Sequence, residues 1–309
     1  MEHKVVTAMT MNVPQVLSGM GQAALVAAAA PLAAGLIKTA KARLQNRRGP
    51  SLAQPYRDLA KFLVKDSVVS PTTSWVFTAA PPIYLAAALG AAALAPLTAG
   101  AGLADIFMLL YLFALGRFFL ALAALDAGSA FGGMGASREM FLAVLIEPAI
   151  LLALLTVALP AKTTGLAAMA ANAGESWTLA DVFAAAAFYI VLIGETGRIP
   201  VDNPDTHLEL TMAHEGMILE YSGRPLGLIH WAAAVKQLVM ILLFATLFLP
   251  AAPESWSAAA QAGLLAAKVA ATALALALAE TVTNKMRLFR VPAFMAAAGV
   301  LALLALVAQ

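Results

Sequence analysis

A series of long apolar runs constrains the fold of this chain more than any other sequence feature. A helix needs about 20 apolar residues to cross a bilayer, and a lone segment in lipid satisfies its backbone hydrogen bonds only as a helix. Hydrophobic residues make up 62% of the chain and charged residues only 12%. We therefore predict an all-α, polytopic integral membrane protein in which residues 1–309 form a single membrane domain. Eight transmembrane helices are predicted, at about 15–37, 77–98, 103–125, 139–160, 178–197, 226–250, 260–282 and 291–308.

The lysines and arginines between these runs are divided unequally between the two sides of the membrane. One side carries only Lys4 and Lys162. The other carries fourteen: Lys38, Lys41, Arg43, Arg47, Arg48, Arg57, Lys61, Lys65, Arg138, Arg198, Arg224, Lys285, Arg287 and Arg290. Because basic loops stay in the cytoplasm, the sequence predicts a multi-pass protein of the cytoplasmic (inner) membrane with both termini outside. The net charge of +2 is explained by these basic residues, which lie beside the membrane spans. We therefore predict the lipid bilayer as partner and no binding of nucleic acid.

The basic segment 41–66 is too short and too highly charged to span the membrane. Leu59, Phe62 and Leu63 fall on one helical face, which predicts an amphipathic helix along the cytoplasmic surface. A basic loop held by anionic lipid is the alternative. A pair of arginines just before a Gly-Pro turn indicates a docking point for a partner, at Arg47, Arg48, Gly49 and Pro50.

Charged residues also occur inside the predicted spans. Four lie at depth, namely Arg117, Glu147, Lys236 and Lys268, and three lie near cytoplasmic helix ends, namely Glu139, Glu195 and Glu280. Each charge near the bilayer centre costs about 2.5–3.5 kcal/mol, so it requires a compensating partner. A static ion pair or a snorkelling end residue is the favoured interpretation of Glu139 and Glu280. Glu147, Lys236 and Lys268 instead predict a polar chain that responds to charge or carries protons.

The acidic loop 198–225 follows the fifth predicted span. Residues 194–223 hold six carboxylates. Pro200 and Pro204 break the emerging helix, and Asp205 stands where an N-cap of a short cytoplasmic helix is expected. Helical spacing within that stretch is seen at Leu208, Met212, Glu215 and Leu219. An acidic loop facing the basic segment 41–66 predicts a charged cavity or a docking surface for a soluble partner.

Several kinds of chemistry are disfavoured by the sequence. The chain has no cysteine, which excludes disulfides, cysteine-ligated iron–sulfur clusters and thiol catalysis. The glycines of "FGGMGAS" lack a βαβ context, so a bent cytoplasmic loop at 126–138 is predicted there in place of a dinucleotide site. His207, Glu209, His214 and Glu215 do not have the HExxH spacing of a zinc site. We predict no catalytic, cofactor or metal centre on this chain.

Four stretches that occur in order along the chain carry a family resemblance: "NRRGPSLAQPYRDLAKFLVKD", "GASREMFLAVLIEP", "ETGRIPVDNPDTHLELTMAHEGMILEYSG" and "NKMRLFRVP". Together they resemble the respiratory complex I subunit 1 family, and more closely its hydrogenase branch. That branch comprises the membrane anchor subunits of formate hydrogenlyase and related group 4 nickel–iron hydrogenases. The resemblance covers the chain from about residue 15 onward.

The resemblance implies a subunit of an oxidoreductase complex that has no catalytic centre of its own. Such a subunit docks a cytoplasmic redox arm and relays redox energy to proton or ion translocation. The implied partners are the hydrogenase large and small subunits, the iron–sulfur subunits of the arm, and antiporter-like membrane subunits. The nickel–iron centre and the iron–sulfur clusters would lie in those partners, in accord with the absence of cysteine from this chain.

The resemblance also assigns roles to individual residues. Positions that match the first cytoplasmic loop of the family are Arg48, Gly49, Pro50, Gln54, Asp58 and Lys61. Positions that match its acidic loop, which in complex I lies beside the quinone chamber, are Glu195, Arg198, Pro200, Asp202, Glu209, Glu220, Tyr221, Ser222 and Gly223. We predict docking to the redox arm at Arg47, Arg48, Gly49, Pro50, Asp58 and Lys61. We predict a charge relay formed by Arg117, Glu147, Glu195, Arg198, Asp202, Asp205, Glu209, Glu215, Glu220, Lys236 and Lys268.

Departures from the family pattern favour the hydrogenase branch. Quinone-reducing relatives carry a longer Gly- and Pro-rich insertion after the arginine-glycine-proline turn and a different motif before the last span, where this chain has "RRGPSLAQ" and "NKMRLFRVP". The acidic stretch "NPDTHLEL" is longer than that of the best-known formate hydrogenlyase anchors, which points to another hydrogenase subtype. Two alternatives remain: the quinone-site subunit of an NADH:quinone oxidoreductase, and a stand-alone ion transporter that uses the same buried charges.

Overall fold

The computed structural model describes residues 13–97, 105–172, 178–203, 212–253 and 255–309, with side chains from residue 16 onward. Within these ranges the chain is almost entirely helical. The α-helices are α1 (Val13–Leu44), α2 (Gln54–Val64), α3 (Trp75–Leu94), α4 (Ile106–Asp126), α5 (Ala130–Ala161), α6 (Leu166–Ala171), α7 (Leu179–Glu195), α8 (His214–Met217), α9 (Gly223–Leu243), α10 (Ala258–Val282) and α11 (Val291–Val307). A π-helical turn (Phe244–Phe248) extends α9, and a 3₁₀ turn (Leu288–Arg290) precedes α11.

Every predicted span contains one of these helices, which confirms the all-α, polytopic fold. In the described part of the chain, seven helices are long and apolar enough to cross a membrane: α1, α3, α4, α5, α9 with its π-helical turn, α10, and α11 with its 3₁₀ turn. The predicted span at 178–197 is α7, whose 17 residues rise about 26 Å. That length is at the lower limit for a span, and it brings the last residue of α7 beside the middle of α4.

The loop predicted at 126–138 is wrong, since most of that segment belongs to α5. Ser129 caps the helix, and its Oγ accepts a hydrogen bond from the backbone N of Gly132 at 3.1 Å. Gly132 and Gly135 allow close packing and do not bend the chain. A Cβ added at Gly135 would lie 2.8 Å from the backbone N of Met217, so a larger residue would push α8 away from α5.

Prolines inside the spanning helices leave carbonyl groups without a helical donor, because proline has no N–H to give to the carbonyl four residues earlier. Three carbonyls freed in this way by Pro31, Pro81 and Pro160 accept a hydrogen bond from a remote side chain: Ala27 O from Trp231 Nε1, Phe77 O from the Tyr221 hydroxyl, and Thr156 O from Gln309 Nε2. Burial, with a smaller effect of the Asp126 carboxylate, raises the pKa of Tyr221, so its hydroxyl stays protonated and able to donate. Each of these hydrogen bonds joins a helix backbone to a side chain from a distant part of the sequence, which stabilises the packing of the bundle.

The basic segments lie at one end of the bundle. Contacts there join parts of the chain far apart in sequence: Arg224 Nε to Leu63 O at 3.0 Å, Arg138 Nη1 to Met212 O at 2.8 Å, and Lys285 Nζ to an Asp202 carboxylate oxygen at 2.7 Å. At the opposite end, Ile106 N donates to Thr164 O at 3.1 Å. The helix bundle therefore has two distinct ends. We call the end that carries the basic segments the basic end, and the other the opposite end.

Candidate functional site

Arg117 is the centre of a buried group of charges in the middle of α4, where its side chain is 5% exposed. Its Nη1 donates to a Glu147 carboxylate oxygen at 2.5 Å, and its Nη2 donates to both Glu195 carboxylate oxygens at 2.5 and 2.6 Å. Its Nε lies 3.8 Å from a Glu139 oxygen. One oxygen of the Glu195 carboxylate also contacts Lys236 Nζ of α9 at 2.6 Å. We call Arg117, Glu139, Glu147, Glu195 and Lys236 the Arg117 group.

The Arg117 group contains three carboxylates and two cations, so it carries one uncompensated negative charge when all five members are ionised. Glu195 and Lys236 are both buried, whereas the Glu147 side chain is 45% exposed. Charges interact strongly over several ångströms where water is excluded. A proton or a charge that arrives at this group therefore alters the balance among all of its ion pairs.

A second buried group surrounds Glu280, near the end of α10. One Glu280 carboxylate oxygen lies 3.3 Å from Arg198 Nη1, and the other lies 3.1 Å from Lys41 Nζ. Arg198 Nη2 also donates to Gln237 Oε1 at 2.7 Å. We call Lys41, Arg198, Gln237 and Glu280 the Glu280 group. Because Gln237 directly follows Lys236 in α9, the two groups are adjacent.

Asp202 organises the beginning of the acidic loop at the basic end. Its carboxylate accepts hydrogen bonds from the backbone N of Ala213 at 3.3 Å and of His214 at 3.4 Å, in addition to its ion pair with Lys285. These bonds hold the chain on both sides of the undescribed residues 204–211. The buried Asp202 is thus a structural anchor of the loop as well as a charged group.

A cavity of about 480 Å³ lies against both groups. Charged side chains in its wall include Asp58, Arg117, Glu195, Arg198, Glu215 and Lys236. Helix α2, the amphipathic helix predicted within 41–66, contributes Leu59 and Phe62. The Phe62 ring packs 5.5 Å from the His230 ring, and a Cβ at Gly227 would lie 2.8 Å from Phe62 Cβ. Most of the apolar face of α2 therefore lies over the cavity and α9, while Leu63 stays exposed.

Some of the predicted relay residues lie elsewhere. Lys268 of α10 is not close to the other members, since its Nζ contacts the carbonyl oxygens of Ala245 and Leu249, each at 3.4 Å. Glu220 is exposed at the basic end. Asp205 and Glu209 lie outside the described residues. The structure therefore brings together Arg117, Glu147, Glu195, Arg198 and Lys236, with Asp202 and Glu215 nearby on the cavity wall.

The predicted docking residues divide into two sets. Arg47, Arg48 and Lys61 are exposed at the basic end. The Gly-Pro turn is folded onto the end of α1, where Thr39 Oγ1 donates to Pro50 O at 3.0 Å and a Cβ at Gly49 would come within 3.2 Å of the Thr39 backbone. Asp58 instead lines the cavity and accepts a hydrogen bond from Gln54 Nε2 at 2.8 Å.

Sequence reasoning did not identify two members of the Glu280 group, or the lysine that pairs with Asp202, as site residues. Lys41 and Lys285 were interpreted only as topology signals, although each pairs with a buried carboxylate. Gln237 was not considered, although a polar pair Lys236-Gln237 inside an apolar run indicates a polar environment at that depth. Glu280 and Glu139, interpreted as static or end residues, belong to the same network as the predicted relay residues.

Proteins with related sequences are subunits of membrane complexes. Formate hydrogenlyase subunit 4 of Escherichia coli (strain K12) is 39% identical over 243 residues, which cover 76% of this chain and 78% of the relative. Hydrogenase-4 component C of the same strain is 37% identical over 76% of each protein. NADH-quinone oxidoreductase subunit 8 of Rhodothermus marinus is 28% identical over 66% of this chain and 62% of the relative.

The fold also has a solved counterpart. A chain in the structure of the membrane-bound sulfane sulfur reductase, an archaeal respiratory membrane complex, superposes with a TM-score of 0.83 at 20% identity, covering 95% of this chain and 100% of that chain. A protein family described as NADH dehydrogenase matches residues 19–309. The resemblance to the complex I subunit 1 family and its hydrogenase branch is thereby confirmed, and the chain belongs to the NADH dehydrogenase family.

Proposed function

We propose that this chain is a non-catalytic membrane anchor and coupling subunit of a group 4 nickel–iron hydrogenase complex of the formate hydrogenlyase type. The observation that carries the proposal is the pair of adjacent buried ion-pair groups that extends from the cavity wall into the middle of the bundle. The identities of 39% and 37% to subunits of formate hydrogenlyase and hydrogenase-4 support the hydrogenase assignment. Coupling of redox chemistry to ion movement needs this combination of a responsive site and a lateral path.

The proposed orientation places the basic end in the cytoplasm and both termini outside, in the cytoplasmic (inner) membrane. Exposed Arg47, Arg48 and Lys61 would then face the soluble arm. The arm contains the hydrogenase large and small subunits and the iron–sulfur subunits, which hold the nickel–iron centre and the clusters. Antiporter-like subunits adjoin the chain within the membrane. That this chain binds no cofactor of its own stays a prediction.

The coupling step follows from the unequal charges of the Arg117 group. Arg117 and Lys236 both form ion pairs with Glu195, and Arg117 also forms ion pairs with Glu147 and Glu139. A change of charge in the cavity favours protonation or release of one carboxylate, which frees a cation for the neighbouring members. Gln237 lies next to Lys236 in α9 and accepts a hydrogen bond from Arg198. A change in the Arg117 group can therefore alter the ion pairs of Glu280 with Arg198 and with Lys41 of α1. The chain thus moves charge sideways without forming or breaking a covalent bond other than bonds to protons.

A quinone-site subunit of an NADH:quinone oxidoreductase is the second candidate. Apolar residues line part of the cavity, including Leu59, Phe62, Leu142 and Ile146. A cavity with apolar walls and a few convergent polar groups suits a small hydrophobic ligand. Relatives named NADH-quinone oxidoreductase subunits are 27–31% identical to this chain, which is lower than the identity to the hydrogenase subunits.

Purification of the complex in a mild detergent, through an affinity tag on this chain, tests the assignment. Mass spectrometry and a metal assay then identify the subunits that remain attached. We expect nickel, iron–sulfur proteins and hydrogen-dependent dye reduction. Recovery of flavin and NADH dehydrogenase subunits, without nickel, would instead support assignment of this chain as a quinone-site subunit. Transport activity of the chain purified without partners would instead revive the stand-alone transporter.

Substitution of Glu195 tests the coupling role separately from the assignment. Glu195→Gln keeps the shape of a side chain that Arg117 and Lys236 both contact, while removing its charge. We expect the variant complex to assemble and reduce dye with hydrogen at the normal rate, but to translocate ions in vesicles about tenfold or more slowly. Glu220→Gln is the matched control, because Glu220 is exposed. Full ion translocation by Glu195→Gln would reject the relay and leave the docking role untouched.

The docking role is tested by the double substitution Arg47→Ala and Arg48→Ala. We expect a lower yield of the soluble arm with the tagged chain, and a steeper loss as salt is raised, because surface charge contacts are screened by salt. Lys162→Asn serves as the control at the opposite end, since asparagine tolerates the left-handed φ of 52° at that position. An arm yield equal to that of the unmodified chain would contradict docking at these arginines.

A further inference from the structure

Glu147 is the member of the Arg117 group that reaches the outer surface of the bundle. Its side chain is 45% exposed. The wall of the 480 Å³ cavity includes Leu142 and Ile146 of the same helix, α5, but not Glu147. The exposed part of Glu147 therefore faces outward, where α5 packs on α4.

Its partner Arg117 fixes the depth of the Glu147 carboxylate. Arg117 lies eleven residues after Ile106 and nine residues before Asp126, which is about 17 and 14 Å from the two ends of α4. The Glu147 carboxylate accepts a hydrogen bond from Arg117 Nη1 at 2.5 Å. A carboxylate thus faces outward from well inside the membrane-spanning part of the bundle.

A second acceptor lies on the same side of α5. Pro148 has no N–H for the Val144 carbonyl, four residues earlier in the helix. Three other carbonyls freed by prolines accept a hydrogen bond from a remote side chain. Among the residues that the structure describes, no side chain donates to the Val144 carbonyl. Val144 is 71% exposed and Pro148 is also exposed, so this carbonyl too is on the outer face.

The charge of the Arg117 group indicates what these acceptors need. Its two cations, Arg117 and Lys236, face three carboxylates, which leaves one negative charge when all five are ionised. The exposed fraction of the side chain is 45% for Glu147, 16% for Glu139 and 0% for Glu195. The excess negative charge is therefore offered to the outside at Glu147.

We propose that the outer face of α5 at Val144 and Glu147 binds a transmembrane helix of a partner subunit, and that this helix carries a lysine or an arginine at the depth of Glu147. A cation supplies the missing positive charge. Lysine has three N–H donors and arginine five, so either side chain also has donors for the Val144 carbonyl. The inference rests on the proposed function only in that a membrane subunit adjoins the chain.

Other occupants fit this face less well. The ammonium groups of lipids lie at the membrane surface, about 15 Å from the bilayer centre. A second copy of this chain could offer Lys268 of α10, but a contact of α10 with α5 is head-to-tail and forms an open chain of copies unless its rotation closes a ring. His207 of the chain itself lies outside the described residues, so a contact within the chain is one of the outcomes of the test.

Photo-crosslinking in native membranes tests the proposal on the whole complex. A photoreactive amino acid replaces Val144, and mass spectrometry identifies the crosslinked peptide. The control position is Leu274, 49% exposed, on α10, which packs against α1 and α9. We expect position 144 to crosslink to an apolar segment of another membrane protein that contains Lys or Arg, and position 274 not to crosslink to that segment.

A double-mutant cycle shows whether the contact is an ion pair. Glu147→Gln should reduce the crosslink from position 144 by roughly tenfold or more, whereas Glu147→Asp keeps the charge and should retain most of it. Replacement of the mapped partner cation by methionine leaves this chain unaltered, so it should cause the same loss without affecting the fold of α5. Combining that replacement with Glu147→Gln should add little further loss.

The outcomes separate this proposal from the proposed function. Crosslinks from position 144 to lipid alone, to this chain or another copy of it, or to a segment without Lys or Arg would each overturn the ion pair, even if hydrogenase subunits are recovered with the tagged chain. A crosslink that Glu147→Gln leaves unchanged would overturn it as well. Recovery of NADH dehydrogenase subunits together with the expected crosslink would overturn the hydrogenase assignment and support the contact at Glu147.

Discussion

Helices α9 and α10 have almost the same apolar character and length, yet they occupy opposite environments. The spanning segment of α9 with its π-helical turn has 26 residues and that of α10 has 25, and each contains one lysine in its interior. In the most apolar stretch of each segment, 78% of the α9 residues are buried within the chain but only 22% of the α10 residues. Hydropathy thus identifies a span without indicating what surrounds it.

The two lysines show what the difference means for a charge. Lys236 of α9 contacts the buried Glu195 carboxylate at 2.6 Å and lies among helices of its own chain. Lys268 of α10 contacts two carbonyl oxygens at 3.4 Å, on a helix that exposes Ala267 and Ala271. One lysine belongs to an internal network. In the described part of the chain, no ion pair involves the other lysine.

The largest difference between the helices is expected when each lysine is replaced by methionine. Lys236→Met leaves the Glu195 carboxylate with Arg117 as its remaining described cation, which two further carboxylates share. Removing one partner of a buried ion pair destabilises a protein by about 3–5 kcal/mol. Lys268→Met removes two long hydrogen bonds but also a costly charge, so its effect should stay within about 1 kcal/mol. The free energy of unfolding of the chain in detergent, measured by titration with a denaturing detergent, checks both values.

Lys236→Arg is the control for this prediction, because it retains a cation opposite Glu195 and should recover part of the lost stability. Equal destabilisation by Lys236→Met and Lys268→Met would contradict the comparison. It would mean that the carbonyl contacts of Lys268 stabilise the chain as strongly as a buried carboxylate does.

Much of the fold could be predicted from the sequence, because membrane spans depend on local composition. Each predicted run contains a helix, and the basic segments lie together at one end. The exception at 126–138 has a physical cause. Glycines there were interpreted as a bend, whereas Gly135 permits close packing against α8, a contact between residues about 80 positions apart that local sequence does not encode.

The sequence predicted most of the charged residues of the candidate site, but not which of them contact each other. Arg117, Glu147 and Lys236 were identified because charges inside apolar runs are costly. Glu147 contacts Arg117 directly, and Glu195 joins Arg117 to Lys236. Lys268 satisfied the same criterion and lies elsewhere, because the helix that carries it faces outward. Depth along a helix can be counted from sequence. The direction in which a side chain leaves a uniformly apolar helix cannot.

A smaller difference is expected when an alanine in each helix is enlarged. Ala232 of α9 is fully buried, whereas Ala271 of α10 is exposed. Ala232→Leu overpacks the interior and should lower the free energy of unfolding by about 1–3 kcal/mol. Ala271→Leu should leave that free energy unchanged in the isolated chain.

Unfolding of the isolated chain in detergent separates the roles of the two alanines. Ala266→Leu provides a control, since Ala266 is also exposed on α10 and should likewise tolerate a larger side chain. Destabilisation of the isolated chain by Ala271→Leu would show that α10 packs within the chain at this position and would remove the contrast with α9.

The smallest effect concerns a single hydrogen bond to a carbonyl freed by proline. Trp231 of α9 donates from its indole Nε1 to Ala27 O at 2.9 Å, and Pro31 has no N–H to offer that carbonyl. Trp231→Phe removes the donor but keeps an aromatic ring, so we expect a loss of about 1 kcal/mol in the free energy of unfolding. Trp256→Phe, in the segment before α10 where the side chain is 46% exposed, is the matched control and should have little effect. If Trp231→Phe were also neutral, water or a changed helix geometry at Pro31 would have to satisfy the Ala27 carbonyl, and α9 would be joined to α1 by apolar packing alone.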